Sequence, residues 1–600
     1  MIKLSDYVFK FIASQNVKHV FLLAGGGSMH LVDSLGKNTD IEYICCLHEQ
    51  SCSFAAEAYA EYANHLGVSL VTTGPGGTNC ITGVAAAWVE SSSCLFISGQ
   101  AKRSDLIAFT GVRSMGQQEI DIVSIVKPIT KFAVTVMDPL KIKYYLEKAV
   151  YLAIHGRPGP VWIDIPLDVQ AEMIDECSLE SFDATKEIKE IVCKDIGKEV
   201  DKVVEIIRNS TRPVLLIGNG VRIGRAVASF LKLLGKIKIP VLLTWKAIDL
   251  LPEDHPLYRG RPGGIGQRAA NFVQQNSDCL VIIGARLDMP SLAFDHEGFA
   301  RKAIKIMVDI DCAEIKKMRT KIDVPLCIDA GIFIEELLKR CDRLKGYQVE
   351  EWIKITGEWY KKYPVVLPEY RKYDPHYVST YYLVKILSQK LLASDLIVPG
   401  SSGGASDIFM QSFEVKSGQR VLNAPSLGAM GTGIPGAIGA CLASGRKRTI
   451  CVNGDGGFQL NIQELETVRR LNLPIKYFVL NNDGYGSIRS SQSSHFQGRV
   501  TAADSKTGVS LPNIKKIAYA YGIKSLTIND NSELRIGIKK VLSFDGPTIC
   551  EVKVDPAEKI SPRVMSRLLP DGTIVSSPME DMSPLLNRSE LKKNMLIKIH

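Results

Sequence analysis

Short apolar runs alternate along this chain with stretches in which apolar positions recur every three or four residues, the signature of strands followed by amphipathic helices. Ile450-Cys451-Val452 and Ile475-Lys476-Tyr477-Phe478-Val479-Leu480 are two such runs, and between them Leu460, Ile462, Leu465, Val468 and Leu471 recur near helical spacing. That unit reads strand, helix, strand, and closes as a right-handed parallel crossover. The same alternation fills residues 1–175, which end in Val161-Trp162-Ile163-Asp164-Ile165-Pro166. It returns from Arg212-Pro213-Val214-Leu215-Leu216-Ile217-Gly218, with further strands expected at Pro240–Leu243, Cys279–Gly284 and Ile304–Asp309, and again in the block that carries the first two runs. The fold class predicted is α/β, with three doubly wound parallel-sheet domains at 1–175, 190–345 and 372–558. Polar links are expected near Glu180–Lys202 and Glu350–Asp374, and the weakly periodic tail, 559–600, is expected to wrap over the surface or close a site. The first and third blocks could share one fold.

A chain of 600 residues with 46% hydrophobic content exceeds a single core and has the composition of a soluble enzyme. Its formal net charge of +9 is spread out, with basic clusters no longer than Lys447-Arg448 or Lys592-Lys593, which favours small anionic molecules over nucleic acid. Met1-Ile2-Lys3-Leu4-Ser5-Asp6 opens no apolar leader, and no apolar stretch reaches the roughly 20 residues that span a bilayer, so a cytoplasmic protein with no membrane partner is expected. Fourteen cysteines lie scattered without a Cys-x-x-Cys pair or metal-ligand spacing and are read as reduced core thiols.

Chemistry concentrates where the apolar runs end. Gly454-Asp455-Gly456-Gly457 follows one strand and Asn481-Asn482 closes the next, which puts a carboxylate and an amide oxygen at the carboxyl edge of a parallel sheet, where such sheets bind ligands. These are hard oxygen donors for a divalent cation, and the glycines after Asp455 let backbone N–H groups approach a phosphate. Mg²⁺ bridging the protein to a diphosphate is predicted. Either residue alone is as readily a helix cap or a turn. Together with the strands and glycines they resemble the Gly-Asp-Gly and Asn-Asn signature of thiamin-diphosphate enzymes.

The resemblance implies thiamin diphosphate held between a pyrimidine-binding first domain and a diphosphate-binding third domain, the metal set being Asp455, Asn482 and the main-chain oxygen of Gly484. Glu49, after Tyr43-Ile44-Cys45-Cys46-Leu47-His48, matches the glutamate that activates the cofactor by exchanging a proton with its aminopyrimidine ring; by position alone it is equally a helix-start residue. Thr72-Thr73-Gly74-Pro75-Gly76-Gly77-Thr78-Asn79 is similar to the turn beside the pyrimidine, with Pro75 in contact, and Gly25 and Gly26 are further contacts. Ser402, Gly403 and Gly404 match a diphosphate loop, Gly428 and Met430 the element that bends the cofactor, and Gly454, Gly456 and Gly457 flank the metal residue. The family implies a homodimer or homotetramer in which Glu49 and Asp455 meet only across subunits.

Within that family the chain looks closest to the acetolactate synthase group, on Gly74–Gly83, Gly156–Pro166, Leu251–Tyr258 and Leu427–Gly439. Gln118, in Gly116-Gln117-Gln118-Glu119, matches a catalytic glutamine that binds reacting intermediates, although Gln117 stands where the group has Phe. The central domain resembles the part that holds FAD, through Arg157, Gly218, Gly220, Gly284, Ala285, Arg286, Asp288, Asp309 and Asp329; whether FAD is retained stays open. Two positions depart from the group in the acceptor pocket: Pro290 replaces an Arg that pairs with a carboxylate, and Ser491 replaces a Trp. Both point to a bulkier acceptor, and Gly25-Gly26-Gly27-Ser28-Met29-His30-Leu31 looks similar to a branch acting on nucleotide-linked keto sugars. The predicted function is decarboxylation of pyruvate or a related 2-keto acid and transfer of the two-carbon unit to such a carbonyl. The alternative is acetolactate synthesis from two pyruvates.

Overall fold

The computed structural model describes residues 1–107, 110–188, 195–344, 346–568 and 571–598. Three parallel sheets follow one another along the chain. The first contains β1 (His19–Leu22), β2 (Glu42–Cys45), β3 (Gly67–Val71), β4 (Cys94–Gln100), β5 (Phe132–Thr135) and β6 (Val161–Pro166), in the order β2-β1-β3-β4-β6-β5. The second contains β7 (Pro213–Ile217), β8 (Val241–Leu243), β9 (Cys279–Ile283), β10 (Ile304–Asp309) and β11 (Val324–Cys327), ordered β8-β7-β9-β10-β11. The third contains β12 (Leu396–Pro399), β13 (Arg420–Val421), β14 (Thr449–Gly454), β15 (Ile475–Asn481), β16 (Lys524–Ile528) and β17 (Thr548–Lys553), ordered β13-β12-β14-β15-β17-β16. The first and third sheets therefore have the same strand order, and in each of the three the order reverses beside the first strand. The central strands β3, β4, β7 and β9 are buried at every residue, which is why they read as continuous apolar runs rather than as alternation.

Helix α1 (Glu49–Ala63) joins the first and third domains. Its Ser51, Ser53, Ala55, Ala56 and Ala60 are small, so neighbouring backbones come close to it from several sides. A Cβ on Gly439, in the helix α3 (Gly433–Ala443), would lie 2.0 Å from the Ala55 carbonyl oxygen, and one on Gly83, in α2 (Pro75–Glu90), would lie 2.0 Å from Ser53 Oγ. Phe21, Ile44, Cys52 and Ala55 of the first domain share one apolar core with Ile434, Ile438, Cys451 and Tyr477 of the third.

The stretch Glu350–Lys362, expected as part of a polar link, is a helix that buries Trp352 and Trp359 against the central domain. The tail covers the helix Arg268–Gln275, all of whose residues are buried although half are polar. Arg268 donates to the carbonyls of Met582 (3.2 Å) and Pro584 (2.6 Å), Asn271 to that of Met579 (3.0 Å), and Gln275 to the Glu580 carboxylate (3.0 Å).

One expectation is corrected. Cys312 and Cys327, read as free thiols, form a disulfide between the helix after β10 and the end of β11. Neighbouring parallel strands bring the two chain ends together, a proximity that no cysteine spacing reveals. Eleven other cysteines are free, while Cys193 lies outside the described residues. Among the described residues no helix is long and apolar enough to cross a membrane.

Candidate active site

In the third sheet the order reverses between β12 and β14, and the loops that leave these two strands are Ser401–Gly404 and the turn into Asp455. Ligands bind at such a crevice because the two connections diverge to opposite faces of the sheet. Asp455 is the first residue of a short helix and is 4% exposed. Its Oδ2 accepts the backbone N–H groups of Asn482 and Gly484, each at 3.1 Å, and its Oδ1 accepts that of Gly456 at 2.8 Å. Burial outweighs these hydrogen bonds and pushes the carboxyl up to about 6.

The Asn482 side chain ends 2.7 Å from the Gly484 carbonyl oxygen and 3.3 Å from Asp455 Oδ1. If the nitrogen faces them it donates to both; if the oxygen does, three oxygens converge with no hydrogen among them. Their spacing matches the roughly 2.9 Å edge of an octahedron around a cation coordinated at 2.0–2.1 Å. The donor set is one carboxylate, one amide and one carbonyl. Among the described residues no cluster of three His, Cys, Asp or Glu could hold a metal, and this set instead combines one carboxylate with an amide and a carbonyl.

Glycine is required at the turn, since Gly484 has φ +117° and a Cβ there would meet the Ala503 carbonyl oxygen at 2.4 Å. A Cβ on Gly456 would lie 2.5 Å from the Tyr485 ring and 3.6 Å from the Met430 methyl group, so Met430 reaches the Asp455 turn. Gly403 and Gly428 both have positive φ, and a Cβ on Gly403 would lie 3.1 Å from Ser487 Oγ. The half-buried Asp407 carboxyl lies near the Gly403 N–H. Ser402 leads into the same loop, Gly404 lies on Thr380, Gly454 ends β14, and Gly457 approaches Asn453.

The other half of the site lies at the corresponding reversal of the first sheet, between β1 and β3. Gly25 and Gly27 lie against Thr72 and Thr73 so closely that a Cβ would come within 2.5 and 2.6 Å of their side chains, while Gly26 faces open space. Glu49 begins α1, its N-terminus capped by His48, whose Nδ1 accepts the Gln50 N–H at 3.1 Å. Its carboxylate is buried and accepts one hydrogen bond, from Asn79 Nδ2 to Oε2 at 3.0 Å. Asn79 is carried by α2, which starts with Pro75 after the left-handed Gly74.

A Cβ on Gly74 would lie 2.3 Å from the Gln118 carbonyl oxygen, so the loop bearing Gln118 rests on this turn with the Gln118 side chain exposed. Residues not singled out in the sequence hold that loop. Glu119 accepts the N–H groups of Ile107 (3.1 Å) and Met115 (3.2 Å), and Gln100 donates to the Ile120 carbonyl (2.9 Å) and to the buried Asp164 (3.1 Å). Within one chain the two halves are joined at their edges, by Asn461 donating to Gln50 Oε1 (2.8 Å) and the Leu47 N–H to Glu464 (2.8 Å).

A cavity of about 700 Å³ opens at the reversal of the central sheet, where the domains and the tail meet. Arg157, Gly220, Gly284, Ala285, Arg286, Asp288, Asp309 and Asp329 line it, and its size is that of a site for a large organic ligand. Gly218 lies beneath: a Cβ there would be 2.1 Å from the Gly284 oxygen, and one on Gly220 would be 2.7 Å from Gly284 Cα. Arg157 is paired with Asp311 (2.9 Å) and Glu314 (2.6 Å). Arg286 donates to the Val89 carbonyl (2.6 Å) and Ser426 (2.8 Å). Burial raises the Asp309 carboxyl, and Asp329 caps the helix Ala330–Arg340. Pro290 lines this cavity. Ser491 is exposed on the separate helix Gly486–His495, so a single chain does not bring the two together in this cavity.

Two sheets of one topology, each offering a glycine-rich crevice, flank a third with a nucleotide-sized cavity, and family models match each in turn. Residues 2–125 match the thiamine pyrophosphate enzyme N-terminal TPP binding domain, 200–337 the central domain and 402–552 the C-terminal TPP binding domain. Among curated proteins, the acetolactate synthase large subunit of Cyanidium caldarium is 32% identical over 567 residues, covering 92% of this chain and 93% of its own. The acetolactate synthase isozyme 1 large subunit of Escherichia coli strain K12 is 29% identical, with 93% and 95% covered, and the acetolactate synthase large subunit of Lactococcus lactis is 30% identical, with 95% and 96% covered. The chain belongs to the thiamine-pyrophosphate-dependent, acetolactate synthase-like family.

Proposed function

We propose that the enzyme holds thiamin diphosphate through Mg²⁺ at Asp455, Asn482 and the Gly484 carbonyl, decarboxylates pyruvate, and passes the two-carbon unit to a second carbonyl compound. The convergence of the Asp455 carboxylate, the Asn482 amide and the Gly484 carbonyl on one turn carries this reading: the amide nitrogen can bridge the other two groups by hydrogen bonds, and turned over the amide offers a cation its oxygen beside theirs. Bound thiamin diphosphate supplies a stabilised carbanion equivalent; the chain supplies position and proton control. Glu49 exchanges a proton with the cofactor ring, oriented by Asn79. Met430 holds the bent cofactor beside the Asp455 turn, and Gln118 orients the reacting groups from its place on Gly74. We place Glu49 of one subunit opposite Asp455 of the other in a cytoplasmic homodimer. We assign FAD to the central cavity on the strength of its volume and its Gly218–Gly220–Gly284 floor.

For the acceptor, the names of the relatives favour a second pyruvate, giving acetolactate. A bulkier acceptor, such as a nucleotide-linked keto sugar, is favoured by Pro290 and Ser491, which leave neither a guanidinium nor an indole at those positions. Mass spectrometry of the products from pyruvate, with and without a nucleotide keto sugar, decides. Rapid acetolactate formation from pyruvate alone establishes the first acceptor, and a sugar adduct without it establishes the second. Neither product, in protein loaded with cofactor and Mg²⁺, would overturn the carboligase reading.

A further inference from the structure

The tail segment Ser561–Val564 is fastened at every step. The Ser561 N–H donates to the Tyr381 hydroxyl at 2.6 Å, and Gln411 donates to the Pro562 carbonyl at 2.6 Å. Arg563 exchanges both backbone hydrogen bonds with Ser583, at 3.0 and 2.7 Å, and the Val564 N–H donates to the Gly264 carbonyl at 2.8 Å. A backbone held this way commits the Arg563 side chain to the central cavity, whose wall it forms.

The other basic side chains of that wall have partners. Arg157 has two carboxylates, Arg286 has Asp288, Val89 and Ser426, and Lys246 has Glu61 and Glu90. Arg563 has none: among the described residues its guanidinium makes no hydrogen bond or ion pair, and its Nε is shielded from solvent without an acceptor. An orphaned buried donor costs roughly 1–3 kcal/mol, so evolution retains one chiefly where a ligand completes it. Asp407, in the same wall, feels the Arg563 charge but makes no hydrogen bond or ion pair with it, so it offers a diffuse counter-charge and leaves the donors of the guanidinium unfilled. Gly264, which holds Val564, also lies on Pro290: a Cβ on it would be 3.5 Å from the Pro290 oxygen. Arg563 and Pro290 thus line one cavity, their segments meeting through Gly264.

We propose that Arg563 is an anion-binding residue of the acceptor site, gripping a planar pair of oxygens on the acceptor molecule. The assignment rests on the pyruvate carboligase reading for the word acceptor, but the binding itself does not require turnover. Two sources share this chemistry, the carboxylate of a second 2-keto acid and the diphosphate of a nucleotide-linked sugar.

The test is calorimetry on full-length protein loaded with thiamin diphosphate, Mg²⁺ and FAD, with uridine diphosphate as the phosphate probe and 2-hydroxybutyrate as the carboxylate probe. Arg563→Gln is expected to weaken one probe by about tenfold or more, and Arg563→Lys, which keeps the charge but loses the fork, by less. The probe that suffers identifies the source. Flavin content and thermal melting of each variant are measured alongside. Equal affinities in wild type and both variants, no binding of either probe to wild type, or a loss confined to flavin would each overturn the proposal. A wild type that releases no carbon dioxide from pyruvate defeats the carboligase reading instead, and leaves the calorimetric result to stand on its own.

Discussion

Asn79 donates to Glu49 across the gap between two helices, and among the described residues this is the one hydrogen bond that the Glu49 carboxylate accepts from a side chain. The bond fixes Oε2, and among the described residues Oε1 accepts none. Glu49→Gln is expected to slow exchange of the cofactor's thiazolium C2 proton by at least about a hundredfold, because an amide cannot pass the proton. Asn79→Ala keeps the acid and loses only its orientation, so a smaller loss, roughly tenfold, is expected. Exchange followed by NMR in the presence of bound cofactor checks both.

Metal dependence follows from the oxygen triad. Asp455→Ala removes the carboxylate and Asn482→Leu the amide, and either is expected to weaken thiamin diphosphate binding by about a hundredfold or more with Mg²⁺ present. Titrating the cofactor against intrinsic fluorescence, with and without a chelator, is the measurement. A wild type indifferent to chelation would remove the metal from the account.

Gly220→Val offers a test of the flavin site. Its side chain would start 2.7 Å from Gly284 Cα, at the floor of the cavity and away from the thiamin crevices. Wild-type protein is expected to release a yellow flavin on heat denaturation and the variant to release none, while cofactor binding at Asp455 is kept.

Asp164 carries a pH prediction. It is 1% exposed, and burial pushes its carboxyl up to about 7 against hydrogen bonds from Ser98, Gln100 and Thr135. A raised folded value means that the native state holds a proton which the unfolded chain gives up near pH 4. The stabilisation is therefore complete below about 4 and is lost as pH rises through about 7. Relative to Asp164→Asn, wild type is expected to lose up to about 1.4 kcal/mol per pH unit over that interval and then to level off. Urea melts at several pH values would show a constant difference if the carboxyl were ionised throughout.

The Cys312–Cys327 disulfide closes a separation of 15 residues, which is worth about 3 kcal/mol on chain-entropy grounds. Cys312→Ser is expected to melt lower, and reductant to lower the melting point of wild type but not of the variant. Peptide mapping without reductant checks the linkage directly.

How far the sequence could be read depended on whether its cause was local. Ile304–Asp309 reads as a strand because parallel strands buried on both faces are apolar throughout, and the structure has a strand with those bounds. The helix expected around Leu460–Leu471 is shorter, Glu464–Arg470, because Asn461 turns left-handed at φ +68° and gives its amide to Gln50, far away in the chain. Periodicity cannot report such a partner. Nor could it report that Arg268–Gln275, half of it polar, lies buried under the tail, or that Arg563 reaches the cavity. At the site, Asp455, Asn482 and Glu49 stood out because strand ends and glycines announced them, whereas Asn79 and Gln100 act through contacts that only the fold creates.

The close approach of Gly439 to Ala55 bears on how such a chain can be recombined. Its first and third domains share a seam of backbone against backbone that tolerates no added methyl group on either side. A chimera that takes one of them from a relative must match this seam in both partners, and the central domain must bring its own cross-domain pairs, Arg157 with Asp311 and Glu314 and Lys246 with Glu61 and Glu90, along with the tail that covers it. New acceptor chemistry in this lineage is therefore easier to reach by changing single side chains, as at Pro290 and Ser491, than by exchanging whole domains.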